Sequence, residues 1–208
     1  MILYLSQGAN PRIVQLLLQE KRLSLEIRDI DLAAGEHRSD AFLCKNALGQ
    51  LPVLELDNGQ CISQTTAICE YLEELHPTPP LIGATAEERA ETRMWLRRLD
   101  FLITEPLVQA FKAGEGLPYY RALTHCIPHA AEDFRILVDR HLHWLAGEME
   151  SRIWLCGDRF SLADIQLFCI LDFGRDRRLT STPKPGQLTA WFERARRRLR
   201  DSLHQQAQ

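Results

Sequence analysis

The chain has 208 residues, with 25 Lys and Arg against 28 Asp and Glu for a formal net charge of −3, and 45% of it is hydrophobic. That length holds one large domain or two small ones and that apolar share fills a core, which excludes a disordered or fibrous chain and disfavours a nucleic-acid binder. The six cysteines (Cys44, Cys61, Cys69, Cys126, Cys156, Cys169) form no CxxC pair and no metal-ligand spacing, so they read as reduced cytosolic thiols.

The first strand is Ile2-Leu3-Tyr4-Leu5-Ser6, after which the chain turns polar without a basic segment leading into an apolar one. No uncharged apolar run approaches about 18 residues, so neither an export signal nor a membrane span is expected and the predicted compartment is the cytoplasm. Asn10-Pro11 predicts a helix with Asn as its N-cap and Pro at its first position, running to about Arg22. Apolar and charged residues alternate over 25–31 (Ile27 and Ile30 against Glu26, Arg28, Asp29 and Asp31), which predicts a second strand, and 39–46 predicts a short helix. Pro52 to Leu56 and Gln60-Cys61-Ile62 flank Asn58-Gly59, a strong hairpin signal. Ser63 is expected to cap a closing helix with Ala67, Ile68, Tyr71 and Leu72 on one face. The order β-α-β-α-β-β-α is a two-layer α/β unit.

His76-Pro77-Thr78-Pro79-Pro80 then bars helix and predicts a stiff connector between domains. Beyond it the chain reads as helices: 86–111 kinked at Pro106, 135–149, an apolar helix from 165 opened by Ser161-Leu162-Ala163-Asp164, and a last helix with Trp191, Ala195, Leu199 and Leu203 along one side. The expected organisation is an α/β domain at 1–76, a Pro-rich linker at 77–84 and an all-α domain at 85–208. The arginines of 194–200 lie on the other faces of that last helix and read as a solvated surface. His141 and His143 alternate on a helix and Pro128 interrupts His125 and His129, so no metal site is expected.

Four features of the first half carry potential chemistry. The helix start at Asn10-Pro11 offers free amides and a positive dipole end. Leu51-Pro52 enters a strand where Pro favours a special turn or a cis bond. Ser63-Gln64-Thr65 places amides and a hydroxyl at a helix start, an anion seat or a plain cap. His37-Arg38 precedes the second helix as a polar loop.

These runs, with Asn46-Ala47-Leu48-Gly49-Gln50-Leu51-Pro52-Val53-Leu54, Ser63 to Leu72 and Gly157-Asp158-Arg159-Phe160-Ser161-Leu162-Ala163-Asp164, resemble the cytosolic glutathione S-transferase superfamily, especially its bacterial and fungal theta-like or nu-like members. The resemblance covers about residues 1 to 170. It implies a thioredoxin-like N-terminal domain, an all-helical bundle, glutathione as co-substrate without a metal, and a homodimer. It places the γ-glutamyl carboxylate on Gln64 and Thr65, the cysteinyl backbone on Leu51, and the glycyl carboxylate near Gln50 and His37, where protonation of the imidazole matters below about pH 6.5.

The implied activity is attack of the glutathione thiolate on an apolar electrophile, held by a pocket in the helical half. Tyr119, Tyr120, Phe101, Phe111 and Trp95 are candidates for that pocket. The alternative is a non-catalytic binding or protein-interaction module of the same fold, because the turn Gln7-Gly8-Ala9-Asn10-Pro11 lacks the Ser, Tyr or Cys found in relatives. A free thiol of pKa about 8.5 is only about 3% ionised at pH 7. A helix terminus supplies up to about 2 kcal/mol, which raises that fraction substantially. Asn10 is the first candidate thiol donor, with helix capping as its other role, and Ser6 the second; Tyr4 lies deeper and is expected to pack.

Overall fold

The computed structural model describes residues 1–179 and 186–205, with the side chains of 187 and 201–205 outside that description; Leu203 of the expected apolar stripe is among them. The chain divides into two compact units, Met1–Ala84 joined by the chain from Leu199 onward, and Thr85–Arg198.

The first unit runs β1 (Ile2–Leu5), α1 (Ala9–Glu20), β2 (Glu26–Asp29), a 3-10 turn (Glu36–Arg38), α2 (Asp40–Leu43), β3 (Val53–Glu55), β4 (Cys61–Ser63) and α3 (Thr65–Leu75). The sheet order is β2-β1-β3-β4, with β1 and β2 parallel and the other pairs antiparallel. This is the βαβαββα arrangement read from the sequence. The Asn58-Gly59 hairpin forms as expected, with Asn58 Oδ1 accepting from Gln60 N at 2.9 Å and Gly59 at φ 83°.

Pleating divides the sheet residues between two faces. Tyr4, Val53 and Phe42 form a small cluster on one, while Leu3, Leu5 and Leu54 are fully buried on the other with Ile13, Leu17, Ile68 and Leu72 of α1 and α3. The edge strand β2 departs from the alternation: all four residues are exposed, Ile27 at 48%, because no element covers an outer strand.

Two cap expectations are corrected. Gly8, at φ 147°, is the N-cap of α1, which puts Asn10 and Pro11 second and third in the helix. Pro is tolerated there because first-turn amides have no intrahelical acceptor. Gln64, not Ser63, precedes α3, since Ser63 pairs with Val53 in the hairpin. On α3, Ile68, Cys69, Leu72 and Glu73 are buried, whereas Ala67 is exposed.

The buried Glu73 has its reason in Lys21, just past the end of α1. The two side chains pair at 1% and 0% exposure, and Lys21 Nζ also donates to the carbonyls of His76 and Pro79, both at 2.7 Å. Glu73 accepts from the amides of Leu81 at 3.3 Å and Ile82 at 2.8 Å, so the proline segment is tied to α1 and α3 rather than spanning free.

The second unit comprises α4 (Ala86–Leu99), a π-helical turn (Asp100–Thr104), α5 (Glu105–Ala113), α6 (Leu117–Tyr120), α7 (Ala131–Glu148), α8 (Leu162–Asp176) and α9 (Gln187–Gln205). The expected kink at Pro106 becomes this π-turn. Proline cannot donate to the carbonyl four residues back, Leu102, and that carbonyl instead takes a hydrogen bond from His141 Nδ1 of α7 at 2.7 Å.

The Ser161–Asp164 capping box opens α8. The fully buried Asp164 carboxylate accepts from Leu155 N (3.0 Å), Ser161 N and Oγ (both 3.0 Å) and Trp191 Nε1 of α9 (2.8 Å). No helix among the described residues is long and apolar enough to cross a membrane.

Candidate functional site

The α1 start is the first part of the site. Gly8 makes no side-chain cap, and Pro11 carries no N–H, so the amides of Ala9 and Asn10 are its open donors. Asn10 is exposed and within the helix, which removes capping as its role. Ser6 is half-buried at the end of β1, its Oγ 3.5 Å from the Gln7 carbonyl. Tyr4 packs as expected: its ring is 4% exposed, its hydroxyl donates to Glu55 Oε2 at 2.7 Å, and Lys45 Nζ bonds the same carboxylate at 2.7 Å. Burial and the Glu55 contact hold the Tyr4 phenol above its usual range.

The second part is the segment 37–52. His37 is buried, and desolvation, with Arg38 beside it, lowers its pKa below 6.5. This corrects the expectation of a histidine that charges in its ordinary range. Gly49, at φ 60°, sits so close that an added Cβ would lie 2.7 Å from the His37 carbonyl oxygen. Glycine therefore fits here for two reasons, the left-handed backbone and the close approach.

Asn46, 8% exposed, donates from Nδ2 to the Gln50 carbonyl at 2.8 Å and accepts from Leu48 N at 3.2 Å. His37, Gln50 and Leu51 are brought together by these two residues, neither of which the sequence reading singled out as functional. The Asn-x-x-Gly spacing was the available signal, since both residues are turn formers. The Leu51–Pro52 peptide is cis. Leu51 packs against the cluster of Tyr4, Phe42 and Val53.

The third part is the start of α3. Gln64 is exposed at φ 74° and ψ 124°, a conformation unusual for any residue but glycine, and offers no side-chain cap. The half-buried Thr65 is the first helical residue, so its amide and hydroxyl stand at the positive end of an 11-residue helix. Backbone strain of this kind costs about 1–3 kcal/mol and concentrates where ligands are held.

Within the helical unit, taken by itself, the expected aromatic set divides. Trp95 is fully buried against Trp144, and Phe101 is 54% exposed beneath the Arg97 guanidinium at 3.6 Å. Phe111, Tyr119 and Tyr120 do meet, through edge-to-face contacts of 5.9 Å (Phe111–Tyr120) and 5.0 Å (Tyr119–Tyr120), and Phe173 joins them 5.3 Å from Phe111. Among the described residues, no group of three or more His, Cys, Asp and Glu is placed to hold a metal ion.

The chain matches the family Glutathione S-transferase, N-terminal domain, over residues 1–74 and the family Glutathione S-transferase, C-terminal domain, over residues 131–198. It is 30% identical over 205 residues to Glutathione S-transferase 2 of Saccharomyces cerevisiae, covering 92% of this chain and 83% of that protein. The chain belongs to the glutathione S-transferase family.

Maleylacetoacetate isomerase of Pseudomonas aeruginosa is 38% identical over 167 residues, 74% of this chain and 71% of that one. The crystal structure of Gtt2 from Saccharomyces cerevisiae superposes with a TM-score of 0.86 at 31% identity, covering 96% of this chain and all of that one (100%). This glutathione transferase therefore has the fold its motifs announced, and enzyme rather than inert module is the function its relatives support. They do not single out a theta-like or nu-like subclass.

Proposed function

We propose that this glutathione transferase seats glutathione on its α/β unit and conjugates the thiolate to an apolar electrophile. The γ-glutamyl carboxylate goes to the amides and hydroxyl at the start of α3, with Gln64 and Thr65. The cysteinyl backbone pairs with Leu51 in the manner of an added strand. The glycyl carboxylate lies by Gln50 and His37. The thiol sits at the start of α1, where the Ala9 and Asn10 amides and the Asn10 side-chain NH2 stabilise its anion, with Ser6 as the second donor.

The observation that carries this reading is Gln64, an exposed residue held at φ 74° on the N-terminus of α3 with no side-chain cap of its own. A homodimer through α4 and its continuation, and a cytoplasmic location, complete the proposal; the exposed Met94 and Phe101 support the first.

Calorimetry with glutathione, followed by difference absorbance of the bound thiol against pH, tests the assignment. Micromolar to millimolar binding with a lowered thiol pKa is expected, and Asn10→Ala should raise that pKa more than Ser6→Ala. No binding heat and no thermal stabilisation at saturating glutathione would remove the seat.

A further inference from the structure

The sheet of the first unit ends at β2, and among the described residues no strand lies along its outer edge. Ile30 N donates to the Leu5 carbonyl at 2.8 Å, which fixes the alternation of the backbone: Glu26, Arg28 and Ile30 turn their main-chain groups toward β1, and Leu25, Ile27 and Asp29 turn theirs outward. All four strand residues are exposed, and Ile27 presents an apolar side chain, 48% exposed, between Glu26 and Arg28, which pair with each other at 2.8 Å. An open row of backbone donors and acceptors is a template for another strand.

A closed pair made from two copies of one edge is antiparallel, and its outward-facing residues must stand opposite each other. Odd-numbered residues of one copy therefore oppose odd-numbered residues of the other. A pair centred on Glu26 sets Glu26 against Glu26, one centred on Arg28 sets Arg28 against Arg28, and one centred on Asp29 sets Asp29 against Asp29. Like charges directly opposite are destabilising. A pair centred on Ile27 does the reverse. It sets each Glu26 against Arg28 of the other copy, in the positions between main-chain bonds where side chains approach closest, and Ile27 against Ile27. Charges on an edge ordinarily deter pairing, but in this order they admit one register.

We infer that β2 is a self-complementary edge that pairs with β2 of a second copy of this chain, antiparallel and centred on Ile27, joining two four-stranded sheets into one of eight strands. The main-chain bonds run between the two Ile27 residues and between Leu25 and Asp29, and the pairing covers the exposed Ile27. It is separate from the proposed α4 interface and does not depend on conjugation. The contact is small beside a standard interface of about 800 Å² per partner, so it forms at high protein concentration.

Sedimentation velocity of the full chain, from about 10 μM to about 1 mM, tests it. A species that doubles in mass as concentration rises is expected, with the association weakened by added salt. Glu26→Arg sets Arg against Arg at two places and should lower the association constant about tenfold, and Ile27→Lys, which puts two like charges at the centre, should do the same. Glu26→Arg combined with Arg28→Glu brings opposite charges together again in this register and should restore association. Far-ultraviolet circular dichroism of each variant is expected to match the wild type, as these side chains are exposed.

A dimer through α4 gives a base species that these variants leave unchanged, so the two associations are read apart. A mass that does not change with concentration overturns the inference. So does an association that neither Glu26→Arg nor Ile27→Lys weakens, or a double variant that associates no better than Glu26→Arg alone.

Discussion

Lys21 and Glu73 form an ion pair with side chains 0% and 1% exposed, and every remaining bond they make goes to the backbone of the proline segment. A buried pair of this kind contributes little over a well-packed apolar pair but is costly to break, because the survivor is left charged and unpaired. Lys21→Met and Glu73→Gln are each expected to lower unfolding free energy by about 3–5 kcal/mol, measured by denaturant titration. The pair acts jointly, so Lys21→Met combined with Glu73→Leu should cost clearly less than the sum. Additive losses would show that the two charges do not depend on each other.

Gln64 sets conformation against function. Replacement by Gly removes the penalty of φ 74° and should stabilise the protein by up to about 1 kcal/mol, after the greater entropy of the unfolded chain is deducted. The same change removes a hydrogen-bonding side chain from the proposed carboxylate seat and should weaken glutathione about tenfold. Thermal unfolding and calorimetry on one preparation check both. A Gln64→Gly protein that is more stable and binds equally well would separate the strain from the ligand.

His37 gives the proposed glutathione seat a pH dependence that can be tested. Burial, with Arg38 next, lowers its pKa from 6.5, so at neutral pH the imidazole is uncharged. Between the native and unfolded values the unfolded chain binds more protons; the stability contribution is full above about pH 6.5 and is lost on acidification. A glycyl carboxylate beside the ring favours the charged form, so glutathione affinity should rise as the pH falls below that value. His37→Asn should flatten this rise in a pH series of binding isotherms, and a series parallel to the wild type would take His37 out of the seat.

Asp164 titrates in the opposite sense for stability. Burial pushes its carboxyl from 3.8 up to about 6 against the pull of its four donors. The native state then keeps a proton that the unfolded chain has lost, and stability falls as the pH rises from about 4 to about 6, by about 3 kcal/mol, and is level above. Denaturant titrations across this window, with Asp164→Asn as reference, measure the slope. A difference between the two proteins that is constant with pH would place the carboxyl's native pKa near its ordinary value.

The order of elements, the Asn58-Gly59 hairpin, the Ser161–Asp164 capping box and the family itself were legible in the sequence, because each depends on residues close together along the chain. The residues proposed for the glutathione seat come from the same motifs. Where a cap falls was not legible. Asn10 reads as a cap by type, but Gly8 takes that place, and Ser63 is drawn into the hairpin by Val53.

The Lys21–Glu73 pair, the His141–Leu102 bond and the Phe111–Phe173 contact join residues 39 to 62 positions apart. No local propensity encodes such contacts. Only the folded chain decides which buried charge finds its partner and which freed carbonyl finds a donor, since burial makes an unpaired polar group costly only after the core has closed around it.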